Sequence, residues 1–401
     1  MVGIAKQTIR DVEVRGRRVL VRVDFNVPMK GGAITDDTRI RAAVPTIDAL
    51  RHAGARVVLI SHLGRPDGKV VESLRLAPIA EHLAGLLGVP VIAVPETVGH
   101  VAKAAIDHLH DGDICVLENV RFQAGEEAND PAFVAELAAL GDLFVNDAFG
   151  TAHRAHASTE GIGHHLPAVA GLLMEREVGI MGAALADPVR PFVAVVGGKK
   201  VSDKIGVLRN LVGRADHILI GGAMANTFLA AQGHAMGASY VEQSAVATAV
   251  EILALAAQAG THFELPTDLV VAPRLEADAP SAVVDVDGIP ADQMALDIGP
   301  ETVVRYGVLL RRAGTIIWNG PMGVFELPTF ASGTTGVAHA VADCPGTTVV
   351  GGGDSVAALE ATGLADRITH VSTGGGASLE FLEGKVLPGV AVLRDRGSAP
   401  R

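Results

Sequence analysis

Val19-Leu20-Val21-Arg22-Val23-Asp24-Phe25-Asn26-Val27-Pro28 changes character in its middle, where an apolar run of strand length gives way to polar residues and a proline. The run does not alternate, which is how a strand buried on both faces reads. The plan repeats around it. Residues 38–53 carry helical spacing closed by Gly54 as a C-terminal cap, and residues 76–87 carry it again. Between and beyond these helices lie short apolar runs at 57–60, 114–117 and 143–145. Strands separated by helices make a parallel sheet.

A second series of apolar runs occupies 192–196, 218–220, 269–271, 315–318 and 347–350. The two series are separated by a stretch containing Met174-Glu175-Arg176-Glu177 and Asp187-Pro188, which reads as a connecting helix and hinge. The expected fold is therefore α/β, with two doubly wound, Rossmann-like parallel-sheet domains. The expected boundaries are 1–172 for the first domain, 173–187 for the linker helix and hinge, 188–378 for the second domain, and 379–401 for a C-terminal segment.

Composition agrees with that plan and excludes others. A chain of 401 residues suits two domains, and with 49% apolar but only 3% aromatic residues their cores must be aliphatic. The formal net charge of -12 argues against nucleic-acid and anionic-membrane partners, so any anion site must be a local cluster. Met1-Val2-Gly3-Ile4-Ala5-Lys6-Gln7 lacks the apolar core of a secretory signal, and Cys115 and Cys344 form no CxxC pair; a reducing cytoplasm fits both. The most apolar stretch, 245–260, is interrupted by Thr248, Glu251 and Gln258 and reads as a buried helix, not a membrane span.

In open parallel sheets, ligands gather beyond the carboxyl ends of the strands. In the first domain those ends run into Asp24-Phe25-Asn26, Ser61-His62-Leu63-Gly64-Arg65-Pro66, Glu118-Asn119-Val120-Arg121, and Asn146-Asp147-Ala148-Phe149-Gly150 followed by His153 and Arg154. Arg39 and Arg41 open the helix after the first strand. One such arginine is ordinarily a surface charge. Arg39, Arg65, Arg121 and Arg154 on one edge of an acidic protein read instead as a guanidinium cage for a ligand carrying carboxylate and phosphate, with His62 and His153 adding donors and Asp24 and Asn26 accepting from a hydroxyl. His156 reads as a structural histidine.

The second domain has neither GxxxxGK[ST] nor a GxGxxG after a strand. It has glycine turns: Gly197-Gly198-Lys199-Lys200-Val201-Ser202-Asp203-Lys204, Gly221-Gly222, Gly351-Gly352-Gly353-Asp354-Ser355 and Gly374-Gly375-Gly376. Each alone is ordinary turn chemistry. With Lys200 and Lys204 spaced to share one helical face, they read together as a polyphosphate site, Asp354 being either a ligand for phosphate-bound Mg²⁺ or a helix cap. Trp318-Asn319-Gly320-Pro321-Met322-Gly323-Val324-Phe325-Glu326 is an unusual loop, with Asn319 suited to a phosphate and Glu326 to ribose hydroxyls, or else a corner built around the sole tryptophan.

Taken together, these motifs resemble the phosphoglycerate kinase family over essentially the whole chain and in the family's order. The resemblance implies a monomeric, cytoplasmic glycolytic enzyme that transfers a phosphoryl group reversibly between 1,3-bisphosphoglycerate and ADP, with Mg²⁺, giving 3-phosphoglycerate and ATP. It implies 3-phosphoglycerate on Asp24, Asn26, Arg39, His62, Arg65, Arg121 and Arg154, and nucleotide on Lys204, Asn319, Glu326, Gly352, Gly353, Asp354 and Ser355. Arg39, Lys200, Lys204, Gly352 and Gly375 would stabilise the transferring group, Asp354 would serve the metal, and the C-terminal segment would return to the first domain. Lys199 and Ser355 depart from the family's commoner residues without removing a needed group. Two rivals are a dinucleotide-dependent oxidoreductase, disfavoured by the missing GxGxxG, and a two-lobed solute-binding protein, which would not need the second-domain lysines.

Overall fold

The apolar runs form strands because a parallel strand covered by helices on both faces has no wet side to alternate toward. The computed structural model describes residues 5–397. The described chain divides into two units, residues 5–179 with 386–397, and residues 180–385.

In the first unit, β1 (Arg18–Arg22) is followed by the small hairpin β2 (Met29–Lys30) and β3 (Ala33–Ile34), then α1 (Thr38–His52) and β4 (Arg56–Ile60). There follow α2 (Ala77–Leu87), β5 (Ile92–Ala93), α3 (His100–Asp107), β6 (Ile114–Val116), α4 (Pro131–Ala138), β7 (Leu143–Asn146) and β8 (Ala168–Ala170). The sheet is parallel in the order β5-β6-β4-β1-β7-β8, so the chain winds away from β1 in both directions. Its core packs Val19, Val21, Val57 and Leu59 of the sheet against Ile40, Ile47 and Leu50 of α1 and Ile79 and Leu83 of α2. The end of α1 shows the expected stop: Gly54 adopts φ +80°, where Ala would be strained, and the Gly54 and Ala55 amides close on the carbonyls of Arg51 and Leu50.

α5 (Leu172–Ala186) carries the chain onward, the division between units falling within it after Gly179. The second unit contains β9 (Phe192–Val196), α6 (Ile205–Leu211), β10 (His217–Ile220), α7 (Ala223–Ala231), α8 (Val246–Ala259), β11 (His262–Glu264), β12 (Asp268–Ala272), β13 (Ala282–Asp285) and β14 (Met294–Ile298). It closes with α9 (Pro300–Arg311), β15 (Thr315–Asn319), α10 (Ser332–Ala342), β16 (Thr347–Gly351), α11 (Gly353–Ala361), β17 (His370–Val371) and α12 (Gly376–Leu382). The parallel sheet has the order β11-β10-β9-β15-β16-β17. Counted along the chain this is 3-2-1-4-5-6, the order of dinucleotide-binding α/β folds.

Two readings of this unit need correction. The run at 269–271 is not a strand of the parallel sheet: β12 lies between β13 and β14 in a separate antiparallel sheet, and the edge place belongs to β11. A three-residue strand, His262–Glu264, lacks an apolar run to announce it. Nor is 245–260 a buried helix. In α8 only Ala249, Ile252 and Ala256 are buried, while Val250 and Leu255 are 49% and 40% exposed, because the helix packs one side against α7 and leaves these residues to water.

The chain's last described stretch belongs with the first unit from Val386 onward, α12 remaining in the second unit where Asn210 Nδ2 donates to the Leu382 carbonyl at 2.8 Å. α13 (Pro388–Ala391) is fixed by Asn146 Nδ2 donating to the Gly389 carbonyl at 3.0 Å and by Gly389 N donating to the Ala152 carbonyl.

Candidate functional site

Each unit presents a site at the carboxyl edge of its sheet, where the winding reverses. In the first unit the switch lies between β1 and β7. Arg39, in the first turn of α1, donates from Nη1 to the Asn26 carbonyl at 2.9 Å and pairs with Asp24 Oδ2 at 3.3 Å. Asn26 Oδ1 accepts from Gly64 N at 2.9 Å, which ties the loop after β1 to the loop after β4. Arg121 in turn donates from Nη1 to the Gly64 carbonyl at 2.8 Å and pairs through Nε with Glu127 at 3.0 Å. Asn119 is buried at the hub of these loops: its Oδ1 accepts from Leu63 N and Arg121 N, and its Nδ2 donates to the Leu63 and Leu74 carbonyls.

His62 is buried in the middle. Burial, then the fields of Arg22, Arg121, Arg154 and Arg39, hold its pKa well below 6.5, so the ring is neutral. Four guanidiniums acting on one ring define a convergent cationic cage. Arg65 is exposed at its rim, and its field reaches Arg121. Arg154 donates from Nε to His153 at 3.2 Å. His156 is also kept neutral, its pKa pushed down to about 4 by burial and by Arg121, Arg154 and Arg22. All seven expected residues are thus brought together, whereas Arg41 turns away to an exposed pair with Asp37.

Three residues that carry this cage were not picked out from sequence. Arg22 is 1% exposed, and Glu126 and Ser158 are fully buried beside it. The available signal was a charge inside an otherwise apolar strand, since a buried guanidinium demands partners.

In the second unit the switch lies between β9 and β15. A cleft of about 230 Å³ opens there, lined by Lys204, Asn319, Gly320, residues 352–355, Gly375, Gly376 and Leu379. Lys204 Nζ donates to Asn319 Oδ1, and Asn319 Nδ2 donates to the Gly351 carbonyl at 2.9 Å, so the amide is oriented from both ends. Burial lowers the Lys204 pKa, opposed by Asp203, Asp354 and Glu383. α11 and α12 begin at this cleft behind Gly352 and Gly375, neither start being capped by a side chain. Free amides at a helix start are anion donors. Gly352 holds φ +93°, and a Cβ there would stand 2.8 Å from Asn319 Nδ2. Asp354 sits in the first turn of α11 without making a capping bond.

Lys200 and Glu326 are exposed and do not line this cleft. The helical-face argument for the lysines fails: Lys200 precedes the short 3₁₀ turn Ser202–Lys204, so the pair shares no α-helical turn. Lys199 stands 5.2 Å from the Tyr240 ring centroid as a cation–π partner. Trp318 is a corner in its own right, fully buried with Nε1 donating to the Gly320 carbonyl at 2.7 Å.

These features define a class: a two-unit, doubly wound α/β protein with a guanidinium cage at one switch point and a glycine-and-lysine cleft at the other. The sequence profile of the family described as "Phosphoglycerate kinase" matches residues 9–385. The chain is 59% identical over 393 residues to a phosphoglycerate kinase of Moorella thermoacetica, covering 98% of this chain and 100% of that protein. It is likewise 59% identical over 394 residues to that of Roseiflexus sp. strain RS-1, with the same two coverages. Among solved structures, phosphoglycerate kinase from Coxiella burnetii superposes with a TM-score of 0.90 at 42% identity, over 96% of this chain and 98% of that one. The enzyme from Pyrococcus horikoshii gives 0.84 at 35% identity, with the same coverage. The chain belongs to the phosphoglycerate kinase family.

Proposed function

We propose that this chain catalyses reversible phosphoryl transfer between 1,3-bisphosphoglycerate and ADP, giving 3-phosphoglycerate and ATP, as its glycolytic relatives do. The observation that carries the reading is the family match along nearly the whole chain. The chemistry of the two sites supports it. In the ATP-consuming direction the nucleophile is a carboxylate, ionised at neutral pH with a reference pKa near ~4. It needs no general base, and His62 and His156, both held neutral by burial among arginines, are placed as donors more than as bases.

The cage residues Asp24, Asn26, Arg39, His62, Arg65, Arg121 and Arg154 are assigned to 3-phosphoglycerate. Lys204, Asn319, Gly352, Gly353, Asp354 and Ser355 are assigned to ADP or ATP, with Glu326 at the ribose. Arg39, Lys200, Lys204, Gly352 and Gly375 neutralise charge on the transferring group, which is how positioning enzymes lower such barriers. Residues 173–187 are assigned as the linker helix and hinge.

Asp354, on the rim of the cleft, is the carboxylate that would hold Mg²⁺. No group of three or more metal-ligating side chains occurs among the described residues, and a single carboxylate fits an ion that keeps water and phosphate oxygens for its other ligands. When bound, Mg²⁺ supplies charge neutralisation at those oxygens.

Among the described residues no helix is long and apolar enough to cross a membrane. A monomeric, cytoplasmic enzyme acting on small molecules, with no nucleic-acid partner, completes the proposal. The test is a coupled assay of purified protein with 3-phosphoglycerate and MgATP: acyl-phosphate production supports the reading, and absence of turnover with intact folding refutes it.

A further inference from the structure

Arg22 closes β1, and its guanidinium lies out of water among loops of the first unit. Such a group persists only when its donors are matched and its charge is answered. Its Nε donates to Ser158 Oγ at 2.8 Å, its Nη1 to the Val23 carbonyl, and its Nη2 lies 3.1 Å from His62 Nδ1. The counter-charge arrives through Ser158, whose Oγ donates to Glu126 Oε1 at 2.6 Å and whose amide donates to Oε2 at 3.0 Å. Glu126 has its pKa raised by burial, with Arg22 pulling it down.

A guanidinium has no acceptor and does not give up its proton. At the contact with Arg22, therefore, the imidazole must accept. Nδ1 carries the lone pair, and the ring's single hydrogen is left on Nε2.

We infer that Arg22, anchored through Ser158 to Glu126, is a positioning residue that locks His62 in the neutral Nε2–H tautomer, so that His62 enters the anion cage as a hydrogen-bond donor and not as a cation. In its functional sense this rests on the 3-phosphoglycerate reading of the cage. Protonating Nδ1 would set two N–H groups against each other, and the largest charge effects on His62 come from cations: Arg22, Arg121, Arg154 and Arg39. Charge for the ligand comes from the guanidiniums, and His62 contributes direction. Ligand affinity then gains no pH dependence from this ring across the neutral range.

The lock is tested on the whole protein labelled with ¹⁵N, by long-range proton–nitrogen spectra of the histidine rings, with His62→Gln assigning the signals. The expected pattern for His62 is an unprotonated Nδ1 and a protonated Nε2, constant from about pH 5.5 to 8. A hydrogen on Nδ1, or titration of the ring near its ordinary value, overturns the inference. Arg22→Gln is expected to mix the tautomers and to raise KM for 3-phosphoglycerate about tenfold, one hydrogen bond's worth, with KM for ATP unchanged.

If Arg22→Gln does not fold, two variants at the ring itself decide. His62→Gln can return an N–H near Nε2 and should keep about ten times more kcat/KM than His62→Asn, whose amide falls near Nδ1; equal losses overturn the inference. Adding 3-phosphoglycerate separates the two levels, because an Nε2–H ring whose signals ignore the ligand strikes the substrate reading while leaving the tautomer lock standing.

Discussion

On the proposed function, the two units hold an anion at the carboxyl edge of a parallel sheet with opposite materials. The first uses side chains: the fields of Arg39, Arg121 and Arg154 reach a common centre at His62, with Arg39 held by the Asp24 carboxylate and the Asn26 carbonyl and Arg121 by the Gly64 carbonyl. The second uses backbone: the uncapped starts of α11 and α12 behind glycine, with Lys204 as the one cation lining the cleft among the described residues. A guanidinium fork recognises the shape of carboxylate or phosphate. Amides at helix starts wrap a polyphosphate from close range, which glycine permits. On the proposed reading the difference teaches where redundancy lies: several arginines share the first site, whereas Lys204 is the one lysine lining the second among the described residues.

The sharpest way to break this comparison is Lys204→Ala. It should lower kcat by about 10³-fold, the scale seen when a single preorganised transition-state donor is lost, with KM for 3-phosphoglycerate little changed in the coupled assay. Near-normal turnover would place the burden of charge on the first unit alone. Arg39→Ala, with neighbouring arginines to share its role, should lower kcat by about 10²-fold and should be partly rescued by added guanidinium. If it proves more damaging than Lys204→Ala, the redundancy argument is wrong.

Gly352→Ala probes the backbone side. Its φ of +93° and the 2.8 Å approach of a Cβ to Asn319 Nδ2 set the new methyl against the groups that orient Lys204. A backbone strain of about 1–3 kcal/mol, carried into the bound state, corresponds to a loss of ADP affinity of about fivefold or more, measurable by titration calorimetry; binding of 3-phosphoglycerate should be untouched.

The smallest effect is one the units share. Each buries a carboxyl whose pKa is pushed up to about 7 by burial: Asp147, which accepts from Leu173 N and Met174 N at the start of α5, and Asp297, which accepts from Gly333 N. The folded state thus holds protons that the unfolded chain, with its ordinary value of 3.8, releases. Stability attributable to these groups falls as pH rises from about 4 to about 7 and is level above that. Asp147→Asn should therefore flatten the fall of Tm with pH relative to the parent, followed by thermal melts from pH 4.5 to 8; a parallel pair of curves would show that Asp147 is ionised in the fold.

Much of this protein was fixed by local sequence. Non-alternating runs such as Val19-Leu20-Val21 sufficed for the parallel sheets, because burial on both faces is written into each strand separately. Arginines and glycine turns immediately after those runs pointed to both candidate sites, since topology alone sends them to one edge. Tertiary structure decided whatever depends on partners far along the chain. Arg22 reads as a blemish in a strand until Ser158, 136 positions away, meets it. Lys204 and Asn319, 115 apart, reveal their pairing only in the fold, and Lys200 drops from the helical face its spacing suggested. The run at 269–271 has a strand's composition, but its place in the separate β13-β12-β14 sheet was chosen by its neighbours. Burial preference is a property of a residue; the partner that satisfies a buried charge, or the sheet that accepts a strand, is a property of the packed whole.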